Sequence, residues 1–345
     1  MNFEKTHLCR LPCCYAVSPL TLDGRQKYLL ATDDTGPCYC IDAQTLDCEK
    51  VWEGPGGTMS IVPIPGTNGA FLASQKFLPG FSALHARIVR MSREGGRWQE
   101  RLWMELPYVH RFDLLRRGDQ YYFLGCILST TQQEQAEWSK PGTLVAAPIG
   151  ADFAPPAALA TIAVGMSRNH GYCRVEREDC SEAYTACDQG VFRVVPPQAP
   201  GQAWTVEQLL NAAASDVAVC DLDGDGQEEL AVIEPFHGDA FVIYKKDGGQ
   251  YREIYRYPTP VSFLHAIWGG RLCGENVFLA GCRELDQELF LVRWTQEGPK
   301  EQIIERGFGP SNVAVLGDGE TDYILTANRQ SGEGALFTVC REGTK

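Results

Sequence analysis

Short segments rich in β-branched and aromatic residues recur along the chain. Each follows a turn containing Gly, Asp or Asn and ends in small residues, as in "LDGRQKYLLATDD" (22–34) and "LGDGETDYILTANR" (316–329). Seven such segments align 42–60 residues apart, on the small residues Ala31, Ala73, Gly125, Thr185, Ala231, Ala280 and Thr326. Repeats of this length, built from short strands, are typical of the four-stranded blades of a β-propeller.

The rest of each repeat agrees with a blade. Another short strand lies about 15 residues before each aligned position, and third and fourth strands follow, as in "AFVIYKK" and "YREIYRY". Gly-rich turns between these segments leave little room for helix. The segment "TVEQLLNAAA" (205–214) is the exception, and its helix-forming residues predict a helical insertion.

The seventh repeat ends after its third strand, "ALFTVC", and residues 2–10 can supply its outer strand. Closing a ring in this way removes exposed sheet edges. The prediction is therefore an all-β, single-domain, seven-bladed β-propeller over residues 1–345, closed by the N-terminal strand. The predicted blades are 11–54, 55–105, 106–163, 164–212, 213–260, 261–308, and 309–345 plus 2–10. An eight-bladed ring or a pair of β-sandwiches fits the repeat count less well.

The composition of the chain limits the kinds of partner and the location that can be expected. The net charge of −13 argues against nucleic acid or an anionic membrane as a partner. No run approaches the ~18 apolar residues of a membrane-spanning helix, and the N-terminus shows no signal peptide. The 14 cysteines lack paired CxxC spacing, so buried reduced thiols and a cytoplasmic location are expected. The sequence leaves the oligomeric state open.

An acidic, glycine-broken loop precedes the second strand of the fifth repeat. Asp221, Asp223 and Asp225 alternate, followed by the Gln227 carbonyl and the Glu229 carboxylate. Hard oxygen ligands in a tight loop predict a Ca²⁺ site. The loop resembles the calcium loop of FG-GAP propeller repeats rather than an EF-hand, because strands flank it. We expect it to brace the fold, and the alternative is a solvated acidic turn without an ion.

The first strand of each blade lines the channel, so its first residues should meet at one mouth. Counting back 14 or 15 residues from the aligned positions gives one set of predicted site residues: His110, His170, Asp216, His265 and Asn312. Tyr15 lies near the equivalent position in the first blade. His110, His170 and His265 are three of the six histidines, and together they predict a site for a divalent transition metal (Zn, Mn, Fe or Ni). The alternative is a polar channel filled with water.

The turns after the second strands point to the same mouth. They bring Glu234, His237, Arg283 and Arg329, which favours a site for a polar ligand. Arg283 or Arg329 suits a carboxylate or hydroxyls. A histidine, Glu234 or Tyr15 would act as a base, and Asp216 and Asn312 complete the predicted catalytic set.

Three segments carry a resemblance to a known family. The stretches "LDGDGQEELAVIEPFHGDAFVIYK", "FLHAIWGG" and "GPSNVAV" resemble the propeller of aldos-2-ulose dehydratases. The resemblance implies elimination of water from keto-sugars such as 1,5-anhydrofructose, with His265, Glu234, His237 and Asn312 as site residues. The chain has no room for that family's cupin-like domains, which puts an isomerase step in doubt. The predicted architecture is also similar to that of oligogalacturonate lyases, which carry a metal on histidines at the channel mouth.

The sequence thus predicts a metal-dependent carbohydrate lyase or dehydratase. It would perform β-elimination on a keto-sugar, a keto-glycoside or a uronate, and its partner would be that small substrate. Two alternatives remain open: a non-catalytic propeller that binds a glycan or protein, and a hydrolase that uses the same metal to activate water.

Overall fold

The computed structural model describes residues 1–78, 83–130, 140–317 and 321–341. Seven four-stranded antiparallel sheets surround a common axis, which confirms the predicted seven-bladed β-propeller. A single turn of 3₁₀ helix at Ala83–His85 interrupts the second blade. Across these described ranges, no helix is long and apolar enough to cross a membrane.

The strands follow one another from the channel outward in each blade. The N-terminal strand is β1 (Asn2–Arg10). Blade 1 contains β2 (Cys14–Leu22), β3 (Arg25–Thr32), β4 (Cys38–Asp42) and β5 (Cys48–Trp52). Blade 2 contains β6 (Ile61–Pro63), β7 (Phe71–Gln75), β8 (Arg87–Glu94) and β9 (Arg97–Glu105). Blade 3 contains β10 (Val109–Arg117), β11 (Gln120–Ser129), β12 (Pro141–Ile149) and β13 (Ala160–Met166).

The remaining blades repeat this order. Blade 4 contains β14 (Gly171–Glu176), β15 (Ser181–Cys187), β16 (Gly190–Val195) and β17 (Thr205–Leu210). Blade 5 contains β18 (Asp216–Cys220), β19 (Glu229–Glu234), β20 (Ala240–Asp247) and β21 (Gln250–Arg256). Blade 6 contains β22 (Ser262–Leu272), β23 (Glu275–Glu284), β24 (Leu289–Thr295) and β25 (Gly298–Glu305). Blade 7 contains β26 (Pro310–Gly317), β27 (Asp322–Asn328), β28 (Glu333–Cys340) and β1.

The burial of each strand depends on its distance from the channel. The second strands pack against neighbouring blades on both faces, so β15 is buried along its whole length. Outer strands are less buried, and β17 contains only partly buried and exposed positions. The predicted helix at 205–214 is wrong, because Thr205–Leu210 pairs with β16, with Val206 opposite Val194. Sheet pairing here overrides the helix propensity of Glu, Gln and Leu.

The N-terminal strand closes the ring as predicted. β1 pairs antiparallel with β28, from Asn2 opposite Cys340 to Arg10 opposite Glu333. In blade 3, β13 extends to Met166, past the boundary predicted at residue 163. All 14 cysteines are free thiols.

The seven inner strands leave a central channel that holds two cavities. One, of about 520 Å³, is lined by His110, His170 and His265. The other, of about 430 Å³, is lined by Arg111, Asp216 and other residues that lie further along the same inner strands. Met59 lines both cavities. Met59 therefore lies at the boundary between the two cavities.

Candidate metal centre at one end of the channel

Three histidines from blades 4, 5 and 6 converge in the larger cavity. His170, His237 and His265 each offer a ring nitrogen, and these nitrogens lie within 4.8 Å of one another. His170 and His265 are buried, and His237 is partly exposed. The structure thus places His237 beside His170 and His265, two of the three histidines predicted to hold a metal. His110 stands beside them, with its ring centroid 4.2 Å from that of His170.

Bulges at the start of the inner strands aim several of these side chains. In β10, Val109 pairs with Ile127 and Arg111 pairs with Cys126, which leaves His110 as an extra residue between them. The same shift occurs at His265 in β22 and at Tyr15 in β2. A bulge bends its strand locally and redirects a side chain. The bulges therefore turn these residues toward the channel mouth.

Backbone carbonyls fix the proton position on three imidazoles. The Nδ1–H groups of His110, His170 and His265 donate to the carbonyl oxygens of His170 (3.3 Å), Ser215 (3.1 Å) and Ser311 (2.6 Å), respectively. A carbonyl only accepts, so the hydrogen of each neutral ring is on Nδ1. Each Nε2 then presents a lone pair to the cavity, as metal-bound histidines do when a second partner holds the other nitrogen.

The spacing of the nitrogens fits a metal ion. His170 Nε2 and His237 Nε2 lie 3.3 Å apart. Two nitrogens at 2.0–2.1 Å from a tetrahedral ion are separated by roughly 3.3 Å. The Tyr15 hydroxyl lies 3.1 Å from His265 Nε2, so a bound ion would compete with this hydrogen bond. The donor set fits a divalent transition metal with positions open to the cavity.

Two phenyl rings hold His237 in place. Its imidazole stacks between Phe236, at a centroid distance of 3.9 Å, and Phe263, at 4.4 Å. The guanidinium of Arg168 lies over the outer face of this stack at Phe236 (5.1 Å), and that of Arg283 lies over Phe263 (4.3 Å). His237 has a positive φ of 47°, an uncommon conformation that often accompanies functional constraint. The stack restricts the ring that completes the histidine trio.

The histidines stay neutral in this setting. Burial, followed by the charges of Arg283 and Arg168, lowers the pKa of His237 to about 3. Burial also holds the pKa values of His110, His170 and His265 well below the usual value of 6.5. A metal ligand must be deprotonated, and neutral imidazoles meet that requirement at neutral pH.

Two arginines give the cavity positive charge. Arg329 Nε donates to Asp33 Oδ2 at 2.6 Å, so this cation is paired. For Arg283, no acidic side chain of the described chain lies within ion-pair distance, and its Nε donates to the Gln330 amide oxygen. Burial and the neighbouring Arg329 lower the pKa of Arg283. Arg283 is thus available to bind an anion.

The structure does not bring every predicted residue to this cavity. Glu234 Oε1 accepts the Tyr244 hydroxyl at 2.6 Å, and Arg256 lies 3.9 Å from Oε2, so its carboxylate is held beside blade 5. Asp216 and Asn312 line the opposite cavity. Counting from the aligned positions ignored register: in β26 the extra residue of the bulge is Ser311, so Asn312 lies one position past the equivalents of His110 and His265. A shift of one residue reverses the face of a strand.

Sequence reasoning missed most of the apolar wall of this cavity. The residues it did not identify are Phe77, Leu78, Leu128, Phe236 and Phe263. Two of these had a local signal, because Phe236 adjoins His237 and Phe263 lies two residues before His265. Phe77 and Leu78 follow the end of β7 and Leu128 lies near the end of β11, and their approach to the channel depends on the ring geometry.

The acidic loop lies elsewhere. It connects β18 to β19, at the end of β18 away from the histidines. Carboxylate oxygens of Asp221, Asp223 and Asp225 lie within 4.8 Å of one another, and Glu229 is buried beside them. These four carboxylates are the predicted calcium ligands, together with the Gln227 carbonyl. Calcium at this loop stays a prediction.

Comparisons with known proteins identify one repeat. The sequence model of the FG-GAP repeat matches residues 213–250, which include the acidic loop and His237. A search of the curated proteins found no match.

Solved structures share the fold at low sequence identity. Sqt1 of Saccharomyces cerevisiae is 9% identical with a TM-score of 0.56, covering 99% of both chains. The Cps50 (Swd1) propeller domain of Myceliophteria thermophila is 10% identical with a TM-score of 0.58, covering 97% of this chain and 100% of that one. A protein from Bacteroides fragilis described as a candidate 6-phosphogluconolactonase is 12% identical with a TM-score of 0.56, covering 86% and 84%. These comparisons show a β-propeller in which residues 213–250 match the FG-GAP repeat.

Proposed function

We propose that this protein is a metal-dependent carbohydrate lyase or dehydratase acting at the histidine end of the channel. The observation that carries the proposal is the convergence of His170, His237 and His265 on one point of a cavity. A divalent transition metal there (Zn, Mn, Fe or Ni) would supply a Lewis acid that polarises a substrate carboxylate or carbonyl. The resemblance to aldos-2-ulose dehydratases supports elimination as the reaction.

The charges of the cavity favour an acidic sugar. Among the described residues that line the cavity, Arg283 is the cation without an acidic partner. Its guanidinium lies over the Phe263 ring, which stacks on His237. An arginine fork binds a carboxylate through two parallel hydrogen bonds. The cavity volume of about 520 Å³ falls in the range of small-molecule sites. Of the keto-sugar, keto-glycoside and uronate substrates predicted from the sequence, a uronate fits these features best.

Tyr15 and His110 supply the proton acceptor. The Tyr15 hydroxyl lies 3.1 Å from His265 Nε2 and 3.4 Å from His110 Nε2. Burial raises the pKa of Tyr15 to about 12, so the resting side chain is a neutral phenol. A neutral phenol is not itself a base, so Tyr15 would act as a relay: it takes the proton α to the carboxylate as its own proton passes to the lone pair of His110 Nε2.

The elimination is then completed on the substrate. The electron pair of the broken C–H bond forms the new C=C bond, and the β C–O bond breaks with its electrons moving to the leaving oxygen. That oxygen takes a proton from His110 or water. Glu234, predicted as a base from the sequence, has no place in this step because Tyr244 and Arg256 hold it outside the cavity.

Metal content of four purified proteins tests the site. We expect the wild type, His110→Ala and the control His7→Ala to carry a transition metal by elemental mass spectrometry, and His237→Ala to lose it. His7 is a suitable control because it is exposed and contacts Glu333 on blade 7. A wild type that takes up no transition metal even after supplementation would overturn the proposal.

Product analysis tests the reaction. Metal-loaded protein is incubated with uronates and keto-sugars, and elimination is detected by the ultraviolet absorbance of the unsaturated product. We expect His110→Ala to retain metal while its rate falls about 10²–10⁴-fold, as for the loss of an acid–base group. Cleavage without a new double bond would instead identify a metal-dependent hydrolase. Binding of the sugars without turnover would identify a non-catalytic propeller.

A further inference from the structure

The acidic loop between β18 and β19 orients its carboxylates with its own backbone. One oxygen of each carboxylate accepts a backbone N–H, and the other is left to face the interior of the loop. The four bonds run from Gly226 N to Asp221 Oδ2 (3.0 Å), Asp225 N to Asp223 Oδ1 (3.2 Å), Gln227 N to Asp225 Oδ1 (2.9 Å) and Leu222 N to Glu229 Oε2 (2.7 Å). The loop is thus preorganised to present four oxygens to a cation.

A cation from the chain itself already contacts three of these oxygens. Lys245 Nζ lies 2.5 Å from Asp223 Oδ2, 2.8 Å from Asp225 Oδ2 and 3.0 Å from Glu229 Oε1. Tyr244 of β20 pairs with Leu230 of β19. The next residue of β20, Lys245, therefore lies opposite Glu229 on the neighbouring strand. Its side chain is 20% exposed and can therefore reach solvent.

Two of the inward oxygens, Asp221 Oδ1 and Glu229 Oε1, are buried and accept no hydrogen bond from the residues that the structure describes. Glu229 Oε1 has only its ion-pair contact with Lys245, and Asp221 Oδ1 is the inward oxygen that Lys245 does not contact. An ammonium group has three N–H donors, so it cannot serve four oxygens at once. Calcium takes six to eight oxygen ligands at 2.3–2.6 Å and would use all four. The loop is therefore built for more coordination than Lys245 provides.

We infer that Lys245 is a built-in competitor for the cation site of the acidic loop, and that Ca²⁺ binds only by displacing its ammonium group. Two cations cannot share the inward oxygens at these distances without strong repulsion. The ammonium neutralises part of the carboxylate charge when the loop has no ion. Lys245 thus sets the affinity of the loop for divalent cations and lets blade 5 remain folded without one.

Calcium titration by calorimetry after removal of metals tests this inference. We expect Lys245→Met to bind one Ca²⁺ at least tenfold more tightly than the wild type. The control Lys246→Met removes the neighbouring exposed lysine and should match the wild type. Adding Asp221→Asn to Lys245→Met should weaken binding again, because Asp221 Oδ1 is buried and is the inward oxygen that Lys245 does not contact.

Thermal unfolding gives a second readout. The wild type should melt at nearly the same temperature in EDTA and in calcium chloride, whereas Lys245→Met should melt lower in EDTA and recover in calcium. If Lys245→Met does not fold without calcium, Lys245→Gln provides the same charge change with a side chain that can still donate. Equal or weaker calcium binding by Lys245→Met, or no binding by either protein, would overturn the inference. His237→Ala should leave the titration unchanged, which separates this result from the histidine site.

Discussion

At the residue scale, the channel holds a carboxylate that water reaches poorly. Asp216 is 4% exposed, and its Oδ1 accepts the backbone N–H groups of Tyr172 and Val217. Burial raises its pKa from 3.8 to about 6, although Arg111 and these two hydrogen bonds act in the opposite direction. Between these values the folded protein binds more protons than the unfolded chain, so the free energy of unfolding falls as the pH rises toward 6.

The variant Asp216→Asn should remove that dependence. Asparagine keeps an oxygen for the two backbone N–H groups and carries no charge. Relative to the wild type, the variant should gain stability between about pH 4 and about pH 7.5, by up to ~3 kcal/mol. Urea denaturation of both proteins across this range measures the difference. Parallel stability curves would show that Asp216 keeps an ordinary pKa in the folded protein.

Individual site residues were only partly predictable from the sequence. Equal spacing from the aligned positions found His170 and His265, which the structure brings to one cavity. The same counting placed Asp216 and Asn312 with them, yet both line the opposite cavity. Bulges and their absence decide which way such residues face, and a bulge leaves no clear mark in a single sequence.

At the element scale, one glycine allows two inner strands to meet. A Cβ on Gly171, the first residue of β14, would lie 2.5 Å from Asp216 Cα and 2.6 Å from the Ser215 carbonyl oxygen. Both contacts are with backbone, so no side-chain rotation relieves them. His170, the preceding residue, donates to the same Ser215 carbonyl. The approach of β14 to β18 therefore also positions a candidate metal ligand.

Gly171→Ala should separate these strands. We expect a loss of about 1–3 kcal/mol in unfolding free energy, the usual cost of overpacking, together with weaker metal binding through His170. Gly150→Ala is the matched control, because its Cβ would meet only the Asp152 side chain, at 3.1 Å. Denaturant unfolding and metal content measured on both variants provide the check. An alanine at 171 that leaves both quantities unchanged would show that the strands adjust freely.

Elements were more predictable than their residues. The strand repeat survives in the sequence because each blade needs buried apolar strands at a similar spacing. The helix prediction that covered Thr205–Leu210 was wrong for a physical reason. An outer strand is partly exposed, so it can carry Glu and Gln, which otherwise favour helix. Tertiary pairing with β16 then decides its conformation.

At the scale of the whole molecule, ring closure depends on β1. Its eight registered pairs with β28 join the two ends of the chain, and it buries Leu8 and Cys9. Lys5 adds an ion pair with Glu333 at 2.8 Å and lies over the Phe308 ring at 4.8 Å. Without β1, the edge of β28 would be exposed and blade 7 would have three strands.

Removing residues 1–10 should therefore abolish cooperative unfolding or cause aggregation, and a circular permutant should reverse the effect. Asn2 lies opposite Cys340, so residues 2–10 can be joined after Arg341 through a short turn, with the new chain starting at Leu11. The antiparallel pairing is then a hairpin, and the permutant should melt within about 5 °C of the wild type. Thermal scans and size-exclusion chromatography of the three proteins measure this. A permutant as unstable as the truncated chain would mean that residues 1–10 stabilise the protein by something other than closing blade 7.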